Sequence, residues 1–194
     1  MPCRNLVSWN AKLTAHAKRG HLEESKALFD RMPERDVVSW TAMLSAYSQN
    51  HNLSKSKQIF DDMPCRNLMR NEGFSPDEAA FTCVLLSCIH KGNVKIAHSF
   101  FYSMIFDHGL SASKQQFGCV IDTLGRAGHL WPAEDLIRQM PFEPIAKDWI
   151  CFMGACNNHK NVDAAARAAQ CALDLDRKGA ATYVLLRNVY CEKP

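Results

Sequence analysis

The chain has 194 residues, a formal net charge of +3 at pH 7 and a sequence pI near 8.4. This mildly basic balance permits an acidic partner such as RNA without requiring one. Hydrophobic residues make up 47% of the chain, enough to fill a core, but runs such as Val84-Leu85-Leu86 are far too short to cross a bilayer. We therefore predict no transmembrane helix.

The cysteine pattern argues against a disulfide framework or a zinc site. There are nine cysteines, an odd number, and none forms a Cys-x-x-Cys pair. Cys83 and Cys88, like Cys151 and Cys156, are five residues apart, a spacing that does not place two side chains on one helix face. We predict reduced thiols that serve as small apolar packing residues in a reducing compartment.

A short motif recurs with a fixed period. Residues 32–40 (MPERDVVSW) repeat residues 1–9 (MPCRNLVSW), and a third copy begins at residue 63 and stops after residue 68. The copies start 31 residues apart each time. A fixed period of about 20–50 residues is typical of stacked repeats, in which no single unit buries its own apolar face. Because the first ten residues already belong to a repeat, we expect no targeting peptide there and expect the chain to start at the end of a unit.

Each unit is predicted to be a pair of helices. In the first helix, Trp9, Leu13 and Ala17 recur every four residues and are followed by Gly20 as a turn signal. The second helix carries a stripe of small and large residues that ends at a proline, which cannot continue a helix. That stripe is Leu22, Ser25, Phe29 and Met32, followed by Pro33. The next unit repeats the pattern, and no strand is predicted.

The turn between the two helices provides a second measure of the repeat. It occurs at Gly20-His21-Leu22, His51-Asn52-Leu53, Gly92-Asn93-Val94, Gly128-His129-Leu130 and Lys160-Asn161-Val162. Successive turns are 31, 41, 36 and 32 residues apart. The interval of 41 contains ten residues more than a 31-residue unit, too few for another hairpin. We interpret residues 68–77 as the remnant of a truncated unit at a junction near Asn67, or alternatively as an ordinary surface loop, and in either case as the least ordered interior stretch.

Helical periodicity continues to the end of the chain. It predicts helices over residues 79–90, 94–107, 146–158 and 162–175, the last of these rich in alanine. A further helix is predicted from Tyr183 to Cys191.

These units resemble pentatricopeptide repeats, in particular the plant subclass that mixes short, long and standard repeats (the PLS subclass). Residues 6–36 and 37–67 resemble the 31-residue short type, which opens with Val-Ser-Trp and closes with Met-Pro-x-Arg-Asn/Asp. Residues 76–82 (PDEAAFT) and 119–128 (CVIDTLGRAG) resemble the last long repeats, and residues 140–156 and 181–190 resemble the start of an E-type extension.

The resemblance implies a domain organisation and a fold. Residues 1–5 would be the tail of a truncated repeat, 6–36 and 37–67 short repeats, 68–77 the junction, 78–113 a long repeat and 114–145 a further repeat. Residues 146–194 would form the final repeat and the start of a truncated E-type extension. The expected fold is all-α, a right-handed α-solenoid of about five helix-turn-helix hairpins with an orphan C-terminal helix.

The resemblance also implies binding of single-stranded RNA, one base per repeat, read by the fifth and the last residue of each unit. These positions are Asn10 with Asp36 and Thr41 with Asn67, with Val7 and Val38 expected to sandwich the bases. By the family's code the two pairs prefer U and then A. The Asn10 amide both donates and accepts, which suits a pyrimidine edge, and the Asp36 carboxylate only accepts, which suits N3–H of uracil. The shorter side chain of Thr41 leaves room for a purine.

The longer units differ in their corresponding positions. Thr82, the fifth residue of the unit that ends at Ser113, is a further expected RNA-binding residue. Gly118 and Ile150 are fifth residues, and Ile145 a last residue, that carry no hydrogen-bonding side chain. We expect those later units not to read bases directly.

The sequence indicates no catalysis. Many relatives of this subclass end in a cytidine-deaminase-like (DYW) domain that needs His-x-Glu and Cys-x-x-Cys. His21-Leu22-Glu23 matches the first motif but lies at a predicted turn, and Leu68 stands where Cys65 would need its partner cysteine. We therefore expect no enzyme activity, no cofactor and no metal.

The function implied is RNA recognition in organellar RNA metabolism, in the mitochondrion or the chloroplast, as site recognition for C-to-U editing without catalysis of its own. The expected partners are single-stranded RNA and either editing cofactor proteins or a deaminase supplied by another protein. We expect a monomer and no membrane contact. Two alternatives remain open: a protein-interaction scaffold of helical repeats, and a largely inactive fragment of a longer repeat protein.

Overall fold

The computed structural model describes residues 5–64, 76–176 and 180–191, and these residues form eleven helices and no strand. In chain order the helices are α1 (Leu6–Lys18), α2 (Leu22–Asp30), α3 (Val37–Gln49), α4 (Leu53–Asp61), α5 (Glu78–Lys91), α6 (Val94–Phe106), α7 (Lys114–Arg126), α8 (Leu130–Gln139), α9 (Ala146–Asn158), α10 (Val162–Leu175) and α11 (Ala180–Cys191). The predicted helical pairs are confirmed. The bounds of α9 and α10 match the prediction, whereas α11 begins three residues earlier than Tyr183.

The turns confirm the predicted spacing of the repeat. Within each of the five turns the residue at the predicted position has a left-handed backbone, and these residues are Gly20 (φ 77°), His51 (56°), Gly92 (56°), Gly128 (81°) and Lys160 (54°). Glycine adopts this conformation without steric penalty, while a residue with a Cβ atom is strained there. The turn geometry is therefore kept even in the two units that lack the glycine.

Replacing Lys160 with glycine is expected to stabilise the protein by about 1 kcal/mol, because it removes the strain of a left-handed lysine at an exposed turn. Denaturant unfolding followed by circular dichroism measures the change. Gly20→Ala is the matched control, and it should destabilise the protein because it places a Cβ atom on a left-handed residue. The added atom would meet only Asn50 Oδ1, at 3.9 Å, so the effect would come from the backbone and not from a clash. A loss of stability in Lys160→Gly would contradict the assignment of strain.

The helices begin at capping residues that recur with the repeat. Asn5 Oδ1 accepts a hydrogen bond from the Ser8 backbone N–H (3.0 Å), and Asp36 Oδ1 accepts one from the Ser39 N–H (2.9 Å). Ser39 Oγ in turn accepts from the Asp36 backbone N–H (2.9 Å), which completes a capping box at the start of α3. The last residue of one unit is thus the N-cap of the next, a position at which Asn and Asp are both preferred.

The chain divides into two compact units: unit 1 comprises Met1–Lys91 and Ser99–Ser111, and unit 2 comprises Gly92–His98 and Ala112–Pro194. In unit 1, α3 packs against α1, α2, α4 and α5. One core cluster of unit 1 contains Leu13, Phe29, Met32, Trp40, Met43, Tyr47 and Met63. Phe29 and Trp40 meet edge to face with ring centroids 4.9 Å apart. Of the predicted stripe, Ser25, Phe29 and Met32 are buried. Leu22 of the stripe and Trp9 of the first helix are only partly buried.

In unit 2, small residues allow the helices to approach closely. Five alanines of α10 are buried where this helix packs against α9 and α11: Ala164, Ala165, Ala168, Ala169 and Ala172. Helix α7 also packs against α9, and a Cβ atom added at Gly125 of α7 would lie 2.7 Å from the Cβ atom of Ala155. Gly125, which belongs to the motif 119–128, is therefore a packing residue within α7.

A buried carboxylate links α8 to α10 in unit 2. Glu134 is 8% exposed and accepts hydrogen bonds from Arg167 Nη2 (2.7 Å) and Arg138 Nη2 (3.0 Å). The hydrogen bond from Arg167 is the main reason that the pKa of Glu134 lies below its usual 4.5; Arg138 adds to this effect and burial opposes it. A lowered pKa means that the folded state favours the ionised carboxylate, so its contribution to stability is present above about pH 4.5 and is lost as the pH falls through the folded pKa.

Glu134→Gln is expected to lower the free energy of unfolding at pH 7 by about 1 kcal/mol, a modest value because both arginine side chains are half exposed. The difference from the original protein should shrink as the pH falls below about 4.5, because the original protein then loses its carboxylate too. Denaturant unfolding at pH 7, 5 and 3.5 measures this, with exposed Glu143→Gln as the control. A difference that stays constant with pH would show that the ion pairs do not stabilise the fold.

Candidate nucleic-acid interface

Asn10 and Asp36, predicted as a base-reading pair, lie in direct contact in unit 1. Asn10 is in the second turn of α1 and Asp36 is the N-cap of α3, the helix that packs beside α1. Asn10 Nδ2 donates to both carboxylate oxygens of Asp36, each at 3.0 Å. The reverse orientation of the amide would place Oδ1 against the carboxylate, so the hydrogen-bond network fixes the amide orientation.

This contact leaves one hydrogen-bonding group of the pair unused. Asn10 Oδ1 is covered by neighbouring atoms and has no hydrogen-bond partner among the described residues. A buried acceptor without a donor costs about 1–3 kcal/mol. A donor that meets Oδ1 after a small rotation of the half-buried side chain would relieve that cost.

Asp36 also has a structural role. Its Oδ1 caps α3 through the Ser39 N–H at the same time as it accepts from Asn10. Capping residues of this kind contribute about 1 kcal/mol. The cap holds the carboxylate in place, so the orientation of the Asn10 amide depends on the start of the following helix.

Val7 and Val38, the residues predicted to sandwich the bases, are apolar and exposed. Val7 is 72% exposed and Val38 is 56% exposed, both in the first turn of their helices. Each lies three residues before a predicted reading residue, Asn10 or Thr41, and therefore on the same helix face. Exposed β-branched side chains in this position offer an apolar contact to a flat ring.

Thr41 lies beside Asp77. Asn67 lies outside the described residues. Thr41 Oγ1 donates to Asp77 Oδ1 at 3.5 Å, and Asp77 Oδ1 also accepts from the Ala80 N–H (2.8 Å) at the start of α5. Of the predicted junction 68–77, only Pro76 and Asp77 are described. The sequence interpretation missed Asp77, although an aspartate just before a helix is a recognised N-cap signal.

Two of the later candidate residues, Thr82 and Ser113, form hydrogen bonds with residues three or four positions away. Thr82 Oγ1 in α5 donates to the Glu78 backbone oxygen (2.7 Å). Ser113, at the start of α7 in unit 2, donates from its backbone N and its Oγ to Gln116 Oε1 (2.7 and 3.1 Å). Ile145 is half exposed and a Cβ atom at Gly118 would meet nothing within 4 Å.

His21, which was considered for catalysis, takes part in the turn before α2. His21 is the residue before α2, where its backbone oxygen accepts from the N–H and the Oγ of Ser25 (2.9 and 2.7 Å). Within residues 5–64, 76–176 and 180–191, no group of three His, Cys, Asp or Glu side chains could hold a metal ion. The same ranges contain no helix long and apolar enough to span a membrane.

The described cysteines are free thiols, at positions 83, 88, 119, 151, 156 and 171. Burial raises the pKa of Cys88 and of Cys156 to about 12, and that of Cys83 to about 11. A thiol with so high a pKa stays neutral and unreactive near pH 7. These three cysteines thus fit the predicted packing role.

Repeated helical hairpins, with Asn5 and Asp36 each ending one unit and capping the first helix of the next, define a helical-hairpin repeat protein. The family model of the PPR repeat matches residues 7–37 and 38–68. A pentatricopeptide repeat-containing protein of Arabidopsis thaliana, named as mitochondrial, is 33% identical over 192 residues, which cover 99% of this chain and 28% of the relative. The chain belongs to the pentatricopeptide repeat family. It spans a little over a quarter of the length of that relative.

Solved structures show the same fold. The maize pentatricopeptide repeat protein PPR10 matches with a TM-score of 0.77 at 20% identity, over 96% of this chain and 27% of PPR10. The PPR domain of Arabidopsis thaliana protein-only RNase P 1, solved in complex with tRNA, matches with a TM-score of 0.69 at 19% identity, over 94% of this chain and 96% of that domain. These likenesses confirm the all-α repeat fold class.

Proposed function

We propose that the chain binds single-stranded RNA and that Asn10, oriented by Asp36, reads one base. The observation that carries the proposal is the pair of 3.0 Å hydrogen bonds from Asn10 Nδ2 to the Asp36 carboxylate, beside the exposed Val7. Family membership supports it, as do the solved relatives, one of which is held in complex with tRNA.

The chemistry of the pair favours uracil. The Watson–Crick edge of uracil presents one donor, N3–H, between two carbonyl acceptors. Asn10 Oδ1 is an acceptor in need of a donor, and the Asp36 carboxylate can only accept. Cytosine presents a lone pair at N3, which would face these oxygens unfavourably. Thr41 would be the second reader, and its short side chain leaves room for a purine.

The affinity of the chain alone is expected to be low. Stacking of a base on an aromatic side chain is worth about 1–3 kcal/mol, which we take as the upper range for a base held by the valines and polar groups here. Two reading positions would supply about 2–6 kcal/mol, which corresponds to a Kd between tens of millimolar and tens of micromolar. We propose that strong specificity requires the additional repeats of a longer protein, as in the relatives that this chain spans only in part.

In the cell, we propose a role in organellar RNA metabolism as a member of the PLS subclass. The chain would recognise a site for C-to-U editing in the mitochondrion or the chloroplast, with the deaminase supplied by another protein. The relative named as mitochondrial supports the organellar part of this proposal. The editing role is supported by the resemblance of residues 140–156 and 181–190 to the start of an E-type extension.

The test is an NMR titration, which suits weak binding, with short cytidine-rich RNAs that contain either a single U-purine step or the same bases permuted. Low ionic strength should be used because phosphate contacts weaken with salt. We expect the U-containing step to bind best and to shift the side-chain amide signals of Asn10 and the methyl signals of Val7. Equal binding of all RNAs, with no shift at either residue, would refute base reading and favour the interaction-scaffold alternative.

A further inference from the structure

We infer that a cavity in unit 1, between α2 and α4, is a further binding site, and that its ligand is a carboxylate joined to an apolar body. The cavity has a volume of about 270 Å³, close to the lower limit of about 300 Å³ for small-molecule sites. Helices α2 and α4 both pack against α3, which forms the floor through Trp40 and Tyr47. These two residues share one face of α3, about 140° around the helix axis from Val38 and Thr41. The cavity is therefore separate from the predicted base-reading residues.

The floor of the cavity offers a hydrogen-bond donor that the protein does not use. Trp40 is 7% exposed, and its indole Nε1–H donates to no group among the described residues. Buried polar groups are nearly always hydrogen-bonded, and one without a partner is destabilising. A ligand that brings an oxygen atom to Nε1, after a small shift of the side chains around it, removes this penalty.

Packing alone does not require the indole N–H. Trp40 meets Phe29 of α2 edge to face with ring centroids 4.9 Å apart. In the next unit Phe81 of α5 meets Phe60 of α4 in the same way, also at 4.9 Å. A phenylalanine, which has no polar atom in its side chain, thus performs the same packing role one unit later. The N–H of Trp40 is an addition to that role.

The charges that line the cavity favour a ligand with a single negative charge. The lining contains three cationic residues, Lys26, Arg35 and Lys55, and two carboxylates, Asp30 and Asp62. Lys26 is already paired with Asp30, with Nζ 2.8 Å from Oδ2. Arg35 and Lys55 form no ion pair with a carboxylate among the described residues. One cationic charge therefore remains uncompensated.

The two unpaired cations are held over aromatic rings. The Arg35 guanidinium lies 4.7 Å from the ring centroid of Phe29, and its Nε donates to the Phe29 backbone oxygen at 3.0 Å. Lys55 Nζ lies 5.5 Å from the ring centroid of Tyr47. A carboxylate can accept charge-assisted hydrogen bonds from these cations while its apolar body contacts the rings. The carboxylate belongs either to a free monocarboxylic acid or to a glutamate side chain of a partner protein.

The experiment is an NMR titration of the ¹⁵N-labelled protein with benzoate, with neutral benzamide and with inorganic phosphate, which lacks the apolar body. Among the signals of the four tryptophans, that of Trp40 is the one missing in Trp40→Phe. We expect benzoate to shift this indole N–H signal downfield and to bind about tenfold more tightly than either control. A capped tetrapeptide with one phenylalanine and one glutamate forms the second arm. Tighter binding of the peptide than of benzoate would identify a partner protein as the source, and the reverse a free acid.

Three variants test the residues. Trp40→Phe should stay folded, as Phe81 shows, and should bind benzoate about tenfold more weakly. Lys55→Gln, at an exposed position, should also weaken binding. Lys57→Gln is the matched control in α4, because Lys57 lies outside the lining and close to Asp61. None of the three should change the base preference for RNA.

Two results would overturn the inference. If benzoate, benzamide and phosphate bind alike, or none of them shifts the Trp40 signal, the cavity does not recognise a carboxylate. If Lys55→Gln and Lys57→Gln weaken binding equally, the anion is attracted only by the general charge of α4. Because the cavity is separate from the base-reading residues, either result leaves the proposed RNA-binding function standing.

Discussion

Replacing Asn10 by alanine and Asp36 by asparagine together is expected to weaken binding of a U-containing RNA by about 5- to 150-fold, the equivalent of one base contact of about 1–3 kcal/mol. The variant removes the amide that meets the base and the carboxylate that orients it. RNAs with cytosine at the first position should bind as before. The NMR titration with the U and C versions of the same RNA measures the difference.

The design of this variant follows from the two roles of Asp36. Alanine at position 36 would also remove the cap of α3, whereas asparagine keeps it. Because the two side chains are in contact, we expect each single substitution to account for most of the effect and the double variant to be less than additive. Asn5→Ala removes the equivalent cap of α1 without touching the pair, and thus reports what loss of a cap alone does to binding.

One result would contradict the proposal that Asn10 and Asp36 read a base. If the double variant retains the original preference for U while Val7→Ala weakens binding of all RNAs equally, the bases would be held by apolar contact alone. The hydrogen bonds between Asn10 and Asp36 would then be a brace between α1 and α3.

Gly125→Ala is expected to destabilise the fold by about 1 kcal/mol, and by no more than about 2 kcal/mol, although alanine is the better helix former. The gain in helix propensity is about 1 kcal/mol. Against it stands the contact of the new Cβ atom with the Ala155 Cβ atom, which would be only 2.7 Å away. A Cβ atom cannot rotate away, so α7 and α9 must separate and loosen the surrounding packing, at a cost of about 1–3 kcal/mol.

Helix α7 contains its own control for this prediction. Gly118 lies in the same helix, and a Cβ atom added there would meet nothing within 4 Å. Gly118→Ala should therefore stabilise the protein by about 1 kcal/mol through helix propensity. The double variant Gly125→Ala with Ala155→Gly should recover much of the packing loss. Equal stabilisation by Gly118→Ala and Gly125→Ala, in denaturant unfolding, would show that α7 and α9 do not pack as closely as described.

The sequence was most informative where a local signal repeats. The apolar spacing and the turn positions predicted the helical pairs, and the bounds of α9 and α10 were predicted to the residue. The turns form at the predicted positions even where His51 and Lys160 replace glycine, because packing of the helices imposes the left-handed backbone on whichever residue is present. The fold of a repeat protein depends largely on such local patterns and on contacts between neighbouring units.

The candidate site was predicted in part. The family resemblance named Asn10 and Asp36, which the structure brings into contact, but it did not reveal that Asp36 also caps α3. It assigned Asn67, which lies outside the described residues, to Thr41 and did not reveal Asp77, which lies beside Thr41. Gly125 was noted only within the motif 119–128, because a distance between two helices far apart in sequence is not visible in either helix alone.

The placement of Asp36 at the N-cap of α3 has a consequence for how such a protein can evolve, provided that Asp36 acts on a base as proposed. Aspartate and asparagine stabilise the start of a helix about equally well, yet an asparagine amide can donate where a carboxylate only accepts. A substitution between them would then change the preferred base while thermal stability stays nearly constant. Most other replacements at position 36 would remove the cap and be selected against before any new target is met.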